Sequence, residues 1–297
     1  MQANIYDTIT STILRELETG RLSWRKRWIT NGLPLRWNGV PYRGINTLVL
    51  WATAENKGYN SPFWLTYNQA KALNGPVQRG EKGTWIIYYN TVLKKGATED
   101  ENTTQRVLRA YVVFNAEQCG QAVLDIASKR MPAPLPDAAR IENAETYFRL
   151  VGADLRHGGD RAYYNIADDY IQMPLFGQFK DSLLYYATLA HEHVHWTQHS
   201  SRLDRSFGRQ RYGDEGYAME ELVAEIGAAF LSAKLGIPVD ARADHAAYIQ
   251  SWLTVLKEHN KAIITAAAAA QKAVEFMDMR QPNIAEMVME ETIDDRC

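Results

Sequence analysis

The chain has 297 residues, of which 46% are hydrophobic, a net charge of −2 and two cysteines, a size that can bury one large core or two smaller ones. It has no apolar run of about eighteen residues and no secretory signal at its amino terminus, so we expect a cytoplasmic protein without a membrane span. Two cysteines exclude a disulfide framework and a cysteine-based zinc cluster.

Charge is distributed unevenly along the chain. Residues 1–130 carry 17 Lys and Arg against 10 Asp and Glu, whereas residues 131–297 carry 16 against 25. Three prolines in five residues stiffen the segment between these halves. We therefore predict two domains, 1–130 and 139–297, joined by a linker at 131–138. The first domain should bind a polyanion.

The amino-terminal segment predicts a helix followed by a basic aromatic cluster. Ile or Leu recurs every fourth residue over 5–17, which is typical of an amphipathic helix. Three cations between two indoles follow: Trp24, Arg25, Lys26, Arg27 and Trp28. Cations that follow phosphates and aromatic faces that stack on bases bind single-stranded nucleic acid. The alternative is that both tryptophans belong to the core and the cations form a solvated edge.

Two polar turns in the same half offer further contacts to DNA. They combine an aromatic stacking face and a bidentate amide with cations for phosphates. These residues are Tyr42, Arg43, Asn46, Arg79 and Lys82.

The rest of this half predicts a small sheet with one capped helix. Residues 61–70 should form a short strand leading into a helix with Thr66 as its N-cap. Residues 84–89 and 106–115 should form two paired strands joined by a polar loop. The sequence contains no glycine-rich phosphate loop, so we expect no nucleotide cofactor. This half is predicted to be a small α+β domain.

The second half begins with two predicted strands, at residues 161–166 and 169–174. We expect them to border an active-site cleft, the later strand being able to pair with an extended peptide. A long helix is predicted at residues 246–279, where five consecutive alanines favour close helix packing.

The pattern His191-Glu192-x-x-His195 lies at the end of an apolar helical run. Residues four apart lie on one helix face, so the two imidazoles can hold one metal ion, and Glu192 can reach a water molecule there. This is the pattern of zinc hydrolases. A surface helix with two histidines and an ordinary glutamate is the alternative. His193 should point away from the metal.

A later helix offers the third ligand that catalytic zinc requires. Residues 217–235 form an apolar helical pattern that ends at Gly236. Glu225 lies within its apolar surface, where an unpaired carboxylate would be costly to bury. Glu221, one turn earlier, is the alternative ligand or a supporting partner, and Glu225 could instead be an ordinary buried ion-pair residue.

Several motifs together resemble the ArdC-type antirestriction proteins of conjugative plasmids. The segments at 24–28, 42–46, 64–69 and 80–84 resemble the amino-terminal domain of that family. Residues 170–174, the His191–Thr197 stretch and residues 220–230 resemble its zincin metallopeptidase domain. The resemblance covers nearly the whole chain and preserves the order of the motifs.

The resemblance implies an α+β protein with two domains. The first would be a small single-stranded-DNA-binding domain, and the second a mostly helical zincin-like metallopeptidase domain with a small sheet. Carried over to this chain, it implies His191, His195 and Glu225 as ligands of zinc, with manganese as the alternative, and Glu192 as the catalytic carboxylate. The implied role is protecting incoming, unmodified plasmid DNA from host restriction endonucleases. The alternative is an active zinc metalloprotease that cleaves a host protein and uses DNA binding for localisation.

Overall fold

The computed structural model describes residues 5–18, 32–94, 103–131, 136–208, 214–237, 245–259 and 261–282. These residues divide into two compact units. The first unit contains residues 5–13, 34–42, 46–94 and 103–131, and the second contains the other described residues. The predicted α+β class, with a second part that is mostly helical around a small sheet, is confirmed.

The predicted domain limits, 1–130 and 139–297, stay a prediction. Residues 132–135 of the predicted linker lie outside the described residues. Helix α5 (Asp137–Val151) begins inside the predicted linker, directly after Pro136.

The first unit is organised around a four-stranded sheet in the order β1-β2-β4-β3. Its strands are β1 (Leu35–Arg36), β2 (Phe63–Leu65), β3 (Thr84–Lys94) and β4 (Thr103–Asn115). Strands β1 and β2 are parallel, and the other pairs are antiparallel. Both strands predicted from the apolar runs are present and longer than expected, because the β3–β4 ladder continues into the polar residues that were assigned to the loop.

Strand β2 packs on both of its faces. Phe63 and Leu65 join one apolar cluster, whereas Trp64 joins another with Tyr42 and Ile86. Alternate residues of a strand point to opposite faces of the sheet, which explains how three consecutive residues serve two clusters. The sheet is therefore covered on both sides near β2, and it can hold the base of the β3–β4 hairpin rigidly.

The helices in the first half of the chain are α1 (Ile5–Glu18), α2 (Ile45–Lys57), α3 (Tyr67–Ala72) and α4 (Gln121–Arg130). Helix α1 confirms the amphipathic pattern. Helix α3 has the predicted cap: the Thr66 hydroxyl accepts a hydrogen bond from the Gln69 amide, and the Gln69 side chain accepts one from the Thr66 amide. Such a capping box satisfies two amide groups that the helix itself leaves unpaired.

The second unit contains a three-stranded sheet in the order β5-β7-β6, formed by β5 (Asp154–His157), β6 (Tyr163–Asn165) and β7 (Tyr170–Met173). Strands β6 and β7 confirm the two predicted strands. Strand β5 was missed, because its four residues lack a clear apolar alternation. The prediction that the later strand pairs with a peptide is wrong, since both edges of β7 are already paired, with β5 and β6.

The helices that complete the second unit are α6 (Ser182–Trp196), α7 (Glu215–Leu235), α8 (His245–Glu258) and α9 (Ala262–Asp278). The single long helix predicted at 246–279 is wrong, because the chain forms α8 and α9 instead. The break follows Glu258, in a polar stretch where the Ala262 amide donates to the His259 carbonyl. The predicted stop of α7 is confirmed, since Gly236 adopts a left-handed conformation with φ of 70°.

A glycine lets α6 and α7 approach each other closely. A methyl group at Gly227 on α7 would lie only 2.7 Å from Cγ2 of Val194 on α6. The absence of a side chain therefore allows this approach, which brings the carboxylates of α7 next to the histidines of α6. Within the described residues, no helix has the length and apolar character that crossing a membrane requires.

Candidate metal centre

The carboxyl-terminal part of α6 presents His191 and His195 on one face. Asp181 starts this helix by accepting a hydrogen bond from the Leu183 amide at 2.7 Å. The Nε2 atoms of the two imidazoles lie 3.1 Å apart. Both side chains are buried, so the i, i+4 spacing read from the sequence does place two imidazoles together.

Glu221 on α7 completes a cluster of three metal-ligating groups. One of its carboxylate oxygens lies 3.5 Å from Nε2 of His191, and the other lies 3.5 Å from Nε2 of His195. Tetrahedral ligands held about 2.0–2.1 Å from zinc are separated by roughly 3.3 Å, close to these distances. Two imidazoles and one carboxylate are also a donor set that zinc hydrolases use. The residues present therefore fit a divalent ion.

Glu225 and Glu220 approach the outer nitrogens of the two histidines. Oε1 of Glu225 lies 3.0 Å from Nδ1 of His191, and Oε1 of Glu220 lies 3.2 Å from Nδ1 of His195. A carboxylate at the outer nitrogen fixes the tautomer and orientation of a ligating imidazole. The third-ligand role predicted for Glu225 stays untested, and the geometry favours Glu221.

Glu220 is itself held by Arg205, a residue that no motif in the sequence singles out. The guanidinium donates to both carboxylate oxygens of Glu220, at 2.8 and 2.6 Å, and also to the Thr197 hydroxyl and the Val194 carbonyl. Burial would raise the pKa of Glu220, but hydrogen bonds from Arg205 and His195 outweigh it and lower the pKa. Glu220 therefore remains anionic, and the adjacent acidic pair Glu220-Glu221 in an apolar helix was the signal available in the sequence.

The carboxylates around the two imidazoles stabilise positive charge. Burial alone would lower the pKa of His195, yet hydrogen bonds and charges from Glu220 and Glu221 raise that pKa to about 10. Burial would likewise raise the pKa of Glu221, but the two imidazoles hold it well below its ordinary value. A site that retains a proton this tightly would also favour a divalent cation in the proton's place.

Glu192 and His193, which lie between the two histidines in the sequence, are both buried. Glu192 lies in α6 and is only 5% exposed. His193 packs its ring against Phe148, with centroids 4.7 Å apart, and its Nδ1 donates to the Leu189 carbonyl. Burial lowers the pKa of His193 to about 4, so this histidine is a neutral packing residue outside the metal cluster.

The residues predicted to bind DNA fall into three groups. The cluster from Trp24 to Trp28 lies outside the described residues. Arg79 and Lys82 are exposed in the turn before β3, as a DNA-contacting role requires.

The third group consists of Tyr42, Arg43 and Asn46, whose side chains contact other residues of the protein. Tyr42 is 8% exposed and belongs to the apolar cluster around Trp64. Both polar atoms of the Asn46 side chain are hydrogen-bonded. Its nitrogen donates to the Ile87 carbonyl, and its oxygen accepts from the Ile87 backbone amide. The Arg43 guanidinium is exposed and lies 3.7 Å from the Glu275 carboxylate. Their predicted contacts with DNA stay untested, and the geometry gives Tyr42 and Asn46 roles in the fold.

Fold and site together define a protein that joins a small sheet-based unit to a zincin-like metallopeptidase unit. A zincin-like metallopeptidase model matches residues 142–269, and a model of the N-terminal domain of anti-restriction factor ArdC matches residues 3–114. The uncharacterized protein y4eC of Sinorhizobium fredii is 39% identical, over 94% of this chain and 92% of that protein. DNA primase TraC of Escherichia coli is 36% identical over 97% of this chain, which spans only 28% of the primase.

Two crystal structures of the antirestriction protein ArdC from plasmid R388 are also similar. The metal-free structure is 42% identical with a TM-score of 0.79, covering 94% of this chain and 98% of that chain. The Mn(II)-bound structure is 40% identical with a TM-score of 0.76, covering 95% and 99%. The chain belongs to the ArdC family of antirestriction proteins.

Proposed function

We propose that this protein protects incoming, unmodified plasmid DNA from host restriction endonucleases and acts in the cytoplasm. The observation that carries the proposal is the 42% identity to the antirestriction protein ArdC over 98% of that chain. The amino-terminal match to the ArdC N-terminal domain supports a role of the first half in binding single-stranded DNA. The net positive charge of residues 1–130 suits that partner.

The DNA-binding residues in this proposal are Trp24, Arg25, Lys26, Arg27, Trp28, Arg79 and Lys82. Arg79 and Lys82 are supported by their exposure. The remaining five are supported by the alternation of cations and indoles in the sequence.

His191, His195 and Glu221 would hold a divalent cation, zinc or manganese. The separations of 3.1 and 3.5 Å among their donor atoms support this assignment. The manganese found in the similar ArdC structure keeps that metal as a candidate. When bound, the cation would supply the Lewis acidity that polarises a peptide carbonyl. Glu192 would take a proton from the attacking water and deliver it to the leaving amine.

A transfer assay tests the antirestriction role. An unmodified plasmid would be conjugated into a restricting strain and into an isogenic strain without the endonuclease, each with and without this protein. We expect the protein to raise transfer only into the restricting strain. Equal transfer with and without it in that strain would contradict the proposal.

The second candidate function is proteolysis of a host protein, with DNA binding serving to localise the enzyme. Burial of the motif carboxylate Glu192 beside the two histidines favours it, because a purely structural metal site does not need a general base. Glu192→Gln, with metal content verified, separates the two functions in the same transfer assay. Full protection by this variant would exclude proteolysis as the mechanism, and loss of protection would support it.

A further inference from the structure

The β3–β4 hairpin exposes three large aromatic side chains. Trp85, Tyr88 and Tyr111 are 47%, 48% and 43% exposed. Strand β3 is the outermost strand of its sheet. Exposed aromatic rings on a sheet are typical of binding surfaces, because their burial by a ligand is favourable.

The register of the hairpin places two of these rings on the same face. Tyr88 is paired directly with Arg109, and Ile86 is paired directly with Tyr111. Directly paired residues of antiparallel strands share a face, so Tyr88 and Tyr111 are diagonal neighbours, about 7–8 Å apart. Arg109 lies across from Tyr88 and two residues before Tyr111, next to both rings. Trp85 is an odd number of residues away from Tyr88 on the same strand, so it lies on the opposite face.

The two tyrosines are mounted on a rigid support. Ile86 and Val113, on the same face of the hairpin, are buried in the cluster around Trp64. The Asn46 side chain also clamps the backbone of Ile87 with two hydrogen bonds. The backbone that carries the two rings is therefore fixed before any ligand arrives, which lowers the entropic cost of binding.

The charge around the rings selects an anionic ligand. Arg109 is exposed beside them, and Arg79 and Lys82 are exposed in the turn that leads into β3. Within the described part of the chain, none of these three cations forms an ion pair with a carboxylate. Unpaired nucleotides are bound by this combination, because aromatic rings stack on the bases and a neighbouring cation contacts the phosphate.

We propose that Tyr88, Tyr111 and Arg109 form a stacking platform for single-stranded DNA. Each tyrosine takes one of two successive bases, and Arg109 contacts the phosphate between them. The inference rests on the single-stranded DNA binding proposed above and assigns it to a surface. The platform tolerates any base sequence, because every base has a stacking face.

The experiment measures binding of the full-length protein to fluorescein-labelled oligo-dT of twenty nucleotides by anisotropy. Tyr88→Ala and Tyr111→Ala should each weaken binding by roughly 5- to 140-fold, the range for loss of one stacked base. Tyr88→Phe and Tyr111→Phe keep the ring and should bind as the parent does. Arg109→Ala should lower the slope of log affinity against log salt by about 0.7.

Trp85→Ala is the matched control, because Trp85 is equally exposed on the same strand but on the other face. Near-parental affinity of this variant, with losses in both tyrosine variants, would support the platform. Equal losses in all three alanine variants, or parental affinity in both tyrosine variants, would overturn it. Tighter binding of oligo-rU, or strong competition by a duplex of equal length, would overturn the choice of single-stranded DNA.

A crosslinking measurement avoids any effect of substitution on folding. Oligo-dT carrying 5-iododeoxyuridine, irradiated with the parent protein, should attach to the peptides that contain Tyr88 or Tyr111. Crosslinks only to peptides outside 84–115 would contradict the platform while preserving the proposed function. Failure of the parent protein to bind oligo-dT at all would instead contradict the proposed DNA binding itself.

Discussion

His191 and His195 each face a carboxylate at the outer nitrogen. Glu225 lies at Nδ1 of His191, and Glu220 lies at Nδ1 of His195. Their Nε2 atoms are thereby left to face Glu221. This arrangement assigns different tasks to three glutamates of one helix: one would ligate, and two orient.

The difference between ligation and orientation can be measured as metal affinity. Glu221→Ala should abolish stoichiometric zinc binding, because it removes one of three protein ligands. Glu225→Ala should retain the metal with about 10- to 100-fold lower affinity, as expected for loss of an outer carboxylate. Zinc affinity would be followed by competition with a chromophoric chelator. Glu215→Ala, an exposed change in the same helix, is the control, and a reversed order of the two effects would contradict the assignment.

A second ion pair connects the segment after α6 to the small sheet. The Arg202 side chain is 7% exposed, contacts both carboxylate oxygens of Asp169 and donates to the Trp196 carbonyl. Hydrogen bonds from Arg202 hold the pKa of Asp169 below its ordinary value. A lowered carboxyl pKa stabilises the fold above the unfolded value of about 3.9, and this stabilisation is lost as pH falls through the folded value.

Asp169→Asn should therefore destabilise the protein in a pH-dependent way. Asparagine tolerates the left-handed backbone of residue 169, whose φ is 53°. Because the Asp169 side chain is 37% exposed, solvent screening limits the loss to about 1 kcal/mol at pH 7. Urea unfolding at pH 7 and pH 3 should show the difference shrinking at the lower pH. A difference of the same size at both values would mean that the charge is not responsible, and Asp160→Asn serves as an exposed control.

At the scale of elements, the site depends on how closely α6 and α7 pack. Histidines on one helix and carboxylates on the other meet only if the helices approach at Gly227 and Val194. Valine in a helix has one strongly preferred rotamer, so Val194 cannot easily yield to a new side chain. The position of Glu221 therefore depends on the close contact between Gly227 and Val194, neither of which is a proposed metal-binding residue.

Gly227→Ala should separate the two helices and weaken metal binding. Alanine favours the helix by up to about 1 kcal/mol, but its methyl group would meet Val194 and cost about 1–3 kcal/mol. Adding Val194→Ala removes the clashing atoms and should recover much of the zinc affinity. Gly177→Ala, where nothing lies within 4 Å of the new methyl group, is the control. Additive losses in the double variant, measured by chelator competition and thermal unfolding, would contradict this coupling.

The sequence predicted those elements whose signal is local. The i, i+4 histidines, the Thr66 cap and the Gly236 stop each depend on neighbours in the chain, and the structure contains all three. The division of α8 from α9 was missed because apolar residues continue on both sides of a short polar break. Choosing between Glu221 and Glu225 needed the rotation of α7 relative to α6, which depends on tertiary packing. Arg205 lies in the loop after α6, and a loop residue has no periodic pattern in the sequence that would identify it.

At the scale of the whole molecule, the two halves of the chain differ in the sign of their net charge. The first 130 residues carry a net positive charge, and the remaining residues carry a net negative charge. This division agrees with a first half that contacts DNA and a second half that attracts a cation. The two halves match separate family models as well.

Replacing Arg25, Lys26 and Arg27 with alanine tests the basic half. The triple variant should bind oligo-dT more weakly, with a salt slope reduced by about 2, since three phosphate contacts each contribute about 0.7. Replacing Lys57, Lys71 and Lys129 removes the same charge from exposed positions elsewhere and should leave the slope near that of the parent. An unchanged slope in the first variant would show that the cluster at 24–28 does not contact the strand.

The most direct test of the metal centre is anomalous diffraction from a crystal grown with zinc and measured on both sides of the zinc absorption edge. We expect one strong peak about 2.0–2.2 Å from Nε2 of His191, Nε2 of His195 and a carboxylate oxygen of Glu221. The absence of a peak at this position, or a peak bound by Glu225 with Glu221 turned away, would contradict the account.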